Sequence, residues 1–266
     1  MLTAVLDLVL PAACVGCGAK GASCCAGCHA ALTAAPARRM PDPAPPGLPD
    51  CWSAAPYTGS VRRLILAYKE RGAVAVAGAL TEAVTLAALT AFGWWPPPER
   101  HAAAFGRWSP ERRAAAFGWP LPERRAAAAA FGRWRPPERF AVVPVPSSRR
   151  MRRGRGHDPV GRLAALVADR LRGLGLGAEL WLGLEQARMV TDQAGLSGTE
   201  RAENLAGSLQ VPQAVKTPPG PCALLVDDIV TTGATLAEAA RALRAAGVRA
   251  PLAVTVAATR LTYRRS

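Results

Sequence analysis

From residue 140 onward the chain alternates between short aliphatic runs and amphipathic stretches. The runs "FAVVPVP" (140–146), "AELWLGL" (178–184), "CALLVDD" (222–228) and "PLAVTVAA" (251–258) have the length and bounding residues of strands. Between them, apolar residues recur at helical spacing over 159–172, near 197–207 and over 234–246. Aliphatic strands alternating with helices predict an α/β fold, a parallel sheet covered by helices on both faces. Upstream, "YTGSVRRLILAYKERG" (57–72) sets Val61, Leu64, Ile65 and Tyr68 on one helical face, with Thr58 or Ser60 as a cap and Gly72 as a stop. "AVAVAGALTEAVTLAAL" (73–89) continues as a helix apolar enough to be buried.

Three segments break the pattern. Residues 1–35 hold a short apolar stretch and a cysteine cluster, read as a zinc knuckle. Residues 36–50, "PARRMPDPAPPGLPD", form a proline-rich linker that can be neither a helix nor a central strand. Residues 93–139 are an insert in the domain that spans 51–266. Its units begin at Phe92, Phe105, Phe117 and Phe131 and approximate F-G-[RW]-W-x-P-E-R-R-A-A-A. A period of about a dozen residues suits no solenoid. Glycine and proline interrupt every unit, so the insert reads as a disordered surface loop. The alternative is a sticky tract, in which tryptophan beside arginine stacks on single-stranded nucleic acid or a partner protein.

Composition narrows the class. The 266 residues carry a net charge of +14 and half of them are apolar, enough for a sizeable core. The positive charge favours polyanions such as nucleic acid or phosphorylated small molecules, although a chain rich in Ala, Arg, Gly and Pro gains arginine for other reasons. No uncharged apolar run is long enough for a membrane span, and the apolar start lacks a basic region and contains Asp7, so neither secretion nor lipidation is expected. Seven cysteines, an odd number, do not suggest a disulfide framework. The expectation is a cytoplasmic protein with no membrane insertion.

The chemistry concentrates in "LLVDDIVTTGAT" (224–235). Ligands of parallel α/β sheets sit beyond the carboxyl ends of strands. Asp227 and Asp228 close a buried run there, and the next residues turn into a helix. The start of a helix offers unpaired N–H groups and the positive end of its dipole, which together favour a phosphate. Gly233 lets backbone approach closely, Ala234 adds no bulk, and Thr231, Thr232 and Thr235 supply hydroxyls. The two carboxylates can accept hydrogen bonds from a vicinal diol. Together these describe a site for a ribose 5-phosphate group.

The same stretch resembles the phosphoribosyl pyrophosphate (PRPP) signature of type I phosphoribosyltransferases. "VVPVPSSRRMRRGRGHDPVGRLA" is similar to P-V-P-x-S-x-x-R-x-x-x-R-G-[FY]-N-x-x-x-x-L-A, and "RMVTDQAGLSGTERAENLAGSLQV" to R-x-T-x-x-Q-x-x-L-x-x-x-E-R-x-x-N-L-x-G-x-F. "YTGSVRRLILAYKERG" is similar to Y-x-G-x-x-R-x-L-I-x-x-x-K-x-x-G. With the N-terminal C-x-x-C pairs, these segments resemble the ComF family, phosphoribosyltransferase-like proteins linked to bacterial competence and DNA uptake. His157 and Asp158 stand where that family has an aromatic and an asparagine, and Leu209 where it has an aromatic.

The resemblance implies a type I phosphoribosyltransferase-like sheet with a small N-terminal zinc module. It makes Ser147, Ser148 and Arg149 the pyrophosphate loop, with Arg150, Arg152, Arg153 and Arg155 as further phosphate ligands or a nucleic-acid patch. It puts Arg188, Gln193, Arg201 and Asn204 in a hood, where they line the cleft or brace the adjoining helix. It implies displacement of pyrophosphate at the anomeric carbon, with Mg2+ bound alongside PRPP and Asp227 and Asp228 as the catalytic acids. The acceptor is unspecified. A DNA-handling protein without turnover, with single-stranded DNA and competence-machinery proteins as partners, is the other implied reading.

The cysteines read Cys14-x2-Cys17-x7-Cys25-x2-Cys28, two pairs able to complete a tetrahedral thiolate site for structural Zn2+. Cys24 is a substitute ligand and His29 a weaker one. Cys51 and Cys222 read as small hydrophobes.

Overall fold

Burial on both faces decides which runs become strands. The computed structural model describes residues 13–93, 136–146, 158–188, 204–215 and 217–259. Its elements are α1 (Ala26–Thr33), β1 (Ala37–Arg38), β2 (Asp50–Pro56), α2 (Gly59–Arg71), α3 (Ala77–Ala91), β3 (Phe140–Pro144), α4 (Pro159–Gly173), β4 (Ala178–Leu180), β5 (Glu185–Gln186), β6 (Leu209–Gln210), β7 (Cys222–Val230), α5 (Ala234–Ala245) and β8 (Arg249–Ala258). Six strands form one sheet in the order β1-β2-β8-β7-β3-β4. All neighbours are parallel except the short edge strand β1, which pairs antiparallel with β2. The expected α/β class, with a mostly parallel sheet flanked by helices, is therefore observed.

Successive residues of the central strands point to opposite faces, and both faces are dry. Phe140, Val142, Leu224, Val226, Leu252 and Val254 pack on the side of α3 and α4. Ala141, Val143, Ala223, Leu225 and Ala253 pack with Leu236, Ala240 and Leu243 of α5 on the other. Cys51 is fully buried and Cys222 nearly so, in line with small hydrophobes. Val74–Ala91, comprising a 3-10 turn and α3, is long and apolar enough to cross a membrane, but 72% of it is buried inside the protein, as in a core helix.

The observed elements differ from the sequence expectation at β2 and at "AELWLGL". β2 was not anticipated. It carries a buried Ser53, whose hydroxyl lies 2.7 Å from that of Thr255 on β8, and this pairing allows a polar residue mid-strand. "AELWLGL" contributes only Ala178–Leu180 to the sheet; Trp181 adds one more bond, to the Val142 carbonyl, before the chain departs. The helix expected near 197–207 falls mostly outside the described residues.

Residues 36–50 run along the sheet edge. Arg39 donates to the carbonyls of Ala35 and Ser53, and Arg244 of α5 to that of Gly47. Among these, Ala37 and Arg38 form β1, a position that a proline-rich chain can take because an edge strand bonds on one side only.

The ends of the insert meet. Phe92, just after α3, and Phe140, the first residue of β3, are both buried, with ring centroids 6.0 Å apart in an edge-to-face contact. A side chain at Gly177 or Gly220 would strike the backbone of Glu138 or Arg139, so both glycines are needed where the chain re-enters the sheet. Residues 94–135 lie outside the described residues. Replacing them with a short glycine–serine loop is expected to leave the unfolding free energy unchanged or raise it by about 1–2 kcal/mol, because halving a loop lowers its closure cost by about 0.6 kcal/mol. Denaturant titration checks this, and a loss above about 2 kcal/mol would show that the segment is part of the core.

Candidate functional site

The chain leaves β3 toward β4 on one side and leaves β7 toward β8 on the other. A crevice opens at such a reversal, outside the carboxyl ends of the two strands. The tip of β7 carries Asp227 and Asp228. Pro144 lies beside Val226 in register, and the Val145 N–H donates to the Val226 carbonyl at 2.9 Å, so β3 ends next to the acids. Ser147, Ser148 and Arg149 follow directly in sequence but lie outside the described residues.

β7 extends to Val230, two residues past the acids, and only Thr231–Gly233 form the turn into α5. Gly233 has φ +75°, a left-handed conformation that suits glycine. A Cβ there would sit 3.0 Å from Leu48 and 3.1 Å from Pro41, so the 36–50 segment walls one side of the turn. On the other side Thr231 is exposed, and Thr232 and Thr235 are half-buried. The Ala234 N–H makes one long contact, 3.4 Å, to Thr232 Oγ1, and Gly233 at the N-cap provides no side-chain acceptor. Thr231, Thr232, Gly233, Ala234 and Thr235 are thus brought together at the mouth of α5, beside the acids.

The two acids are not equivalent. Asp227 is half-buried and its Oδ1 accepts from the Asp228 N–H at 2.8 Å. Burial and the neighbouring Asp228 charge push its carboxyl well above the ordinary range, with Lys69 opposing them. Asp228 lies on the sheet face of Leu224 and Val226, is buried, and holds Lys69 Nζ 2.6 Å from its Oδ2. The sequence suggests two open acceptors; the fold engages one of them with a lysine.

Lys69 arrives there because α2 crosses the carboxyl rim of the sheet. The helix begins after Tyr57, whose N–H donates to Ala258 at the end of β8. It ends with Lys69 on Asp228 and with the Tyr68 hydroxyl donating to the Pro159 carbonyl, at the start of α4, at 3.0 Å. Gly72, with φ +62°, then closes the helix. Sequence reasoning did not single Lys69 out, although its place in the Y-x-G-x-x-R-x-L-I-x-x-x-K-x-x-G pattern was the available signal.

Of the residues expected to form a hood, Arg188 and Asn204 are among the described residues. Arg188 donates to the backbone carbonyls of Asn204 and Ala206, both at 2.8 Å, which brings Arg188 and Asn204 together as a brace across the segment between them. Gln193 and Arg201 lie outside the described residues. The flanking β5–β6 ribbon is clasped to α5: Glu238 accepts from the Leu209 N–H and from Arg241, which also donates to the Leu209 carbonyl. Burial alone would raise the Glu238 carboxyl, but the Arg241 and backbone hydrogen bonds outweigh it and hold the group below its ordinary value. Asp158 caps α4 by accepting from the Gly161 N–H at 3.0 Å, which an asparagine would do equally well. His157 lies outside the described residues.

At the N-terminus, the Sγ atoms of Cys14, Cys17, Cys25 and Cys28 lie within 4.8 Å of one another. A tetrahedral zinc with bonds of about 2.3 Å holds its sulfurs roughly 3.8 Å apart, so this all-sulfur set fits a structural zinc ion. The Cys25 N–H donates to Cys14 Sγ at 3.3 Å, and that bond leads in lowering the Cys14 thiol to about 6, a ready thiolate. Burial pushes Cys28 up to about 12, and proximity to a metal would reverse that. Cys24, half-buried, points its thiol at the Cys25 carbonyl, and His29 bonds Glu82 of α3 at 3.1 Å, so neither joins the four. Cys14, Cys28 and Leu32 share the core with Leu64 and Leu80, and Arg63 Nε donates to the Gly16 carbonyl, which docks the knuckle on α2 and α3.

No protein-family model matches the chain and no curated protein is significantly similar to it.

An Asp with a raised folded pKa binds more protons folded than unfolded, so its stability contribution falls as pH rises from the ordinary carboxylate range through the folded value. Asp227→Asn keeps the Oδ1 acceptor, removes the like charge, and is expected to raise the unfolding midpoint at pH 7 and flatten that pH dependence. Asp228→Asn removes the charge that the Lys69 ammonium faces and is expected to cost about 1–3 kcal/mol. Thermal unfolding of both variants from pH 4 to 8 reads the contrast, and equal effects would contradict it. For the cysteine cluster, elemental analysis of reduced protein should find about one zinc per chain, lost together with thermal stability in Cys14→Ser.

Proposed function

We propose that the crevice between β3 and β7 binds a phosphoribosyl group, with PRPP and Mg2+ as the ligand and phosphoribosyl transfer to an acceptor as the reaction. The observation that carries this reading is the placement of paired carboxylates and a threonine-lined, glycine-turned helix mouth at the reversal point of a parallel sheet. In this reading the 5-phosphate takes the amides and hydroxyls of Thr231–Thr235. The ribose diol takes Asp227 and the other oxygen of Asp228. Ser147, Ser148 and Arg149 follow the neighbouring strand end, where the pyrophosphate would project. Mg2+ bound with the ligand would relieve charge on the departing pyrophosphate. The carboxylates orient the ring and set a negative field at a carbon that becomes cationic as the bond breaks.

A second reading keeps the pocket without turnover, in a ComF-like protein that handles single-stranded DNA together with competence-machinery proteins. The net charge of +14 favours it. Calorimetry with PRPP and Mg2+ tests the first reading: binding by the full chain is expected, weakened at least about tenfold by Asp227→Asn. Absence of heat with the wild type would overturn it. Salt-dependent binding of a labelled single-stranded oligonucleotide, without PRPP binding, would establish the second.

A further inference from the structure

The site just described has a charge problem that its two acids cannot solve. A phosphorylated sugar brings several negative charges to a strand tip that already presents two carboxylates. Like charges this close repel strongly where burial lowers the dielectric. Among the described residues, the cation placed at that tip by α2 is Lys69, 24% exposed, against an Asp228 side chain only 9% exposed. Its position is fixed twice over. Tyr68, the adjacent residue, is buried and tied to Pro159, and the Gly72 turn ends the helix one residue beyond Arg71.

We propose that Lys69 is the positioning residue of this site, holding Asp228 Oδ2 so that the other oxygen is aimed at the sugar diol and one of the two negative charges is balanced before an anionic ligand arrives. This rests on the phosphoribosyl reading and adds the residue that lets paired acids coexist with a phosphate cradle. Asp227 itself faces the same tip, and Cys51 of β2, which the Asp227 charge influences, lies level with Leu225. Neither can supply positive charge. The ammonium also shortens the list of acceptable ligands. A neutral diol gains nothing from the balanced charge, whereas a sugar phosphate does.

The test is calorimetric titration of the full chain with PRPP and Mg2+, comparing wild type, Lys69→Met and Lys69→Arg, with ribose as the neutral-diol control. Lys69→Met is expected to weaken PRPP binding at least about tenfold, the range for losing a charged hydrogen bond. Lys69→Arg is expected to bind within about threefold of wild type. Where Lys69→Met fails to fold, Lys69→Gln, which can still donate to Oδ2, carries the test and is expected to show the same loss. PRPP binding by the neutral variants equal to that of wild type overturns the inference alone. No binding by the wild type overturns the phosphoribosyl reading and this inference with it. Loss in Lys69→Arg as large as in Lys69→Met would show that Lys69 acts by shape rather than charge, and would overturn it as well.

Discussion

A strand that is dry on both faces can carry charge only at its tip. β7 is such a strand: Ala223 to Val226 face helices on either side and admit no polar atom. Its neighbours β3 and β8 run parallel to it, so three carboxyl ends crowd one rim. The acids, the glycine turn and the helix mouth are all consequences of that crowding. The direction in which each neighbour leaves the sheet then decides where a crevice can open, and the reversal falls between β3 and β7.

α2 gives the rim its rigidity. Together with α3 it ties the knuckle to the rest of the fold, through Arg63 on the Gly16 carbonyl and Leu64 in the shared core. Six residues further on it delivers Lys69 to Asp228. A helix fixed at both places behaves as a strut, so disorder at the cysteines would be felt at the acids. The clasp of Glu238 and Arg241 on the β5–β6 ribbon braces the opposite side of the same end of the molecule.

Most of the sheet could be read from the chain because β3, β7 and β8 are continuous aliphatic runs and helices at 3.6-residue spacing separate them. The bounds of α2 were legible from Thr58 and Gly72, and α4 and α5 from their apolar spacing. β2 was not, since its small and polar residues make sense only once Thr255, 202 positions away, supplies the partner for Ser53. The four clustered thiols were visible from spacing alone, whereas the exclusion of Cys24 and His29 required their actual neighbours. Lys69 was hidden for a physical reason: a lysine in the last turn of a helix reads as a solvated end favoured by the dipole. Only the path of α2 over the rim shows that this end lies against a carboxylate.

The edge-to-face rings of Phe92 and Phe140 close a doorway through which any length of chain can leave and return. Exit and re-entry points held side by side impose no span on the chain between them, so copying slippage in the repeated sequence can change the number of units without stretching the described fold.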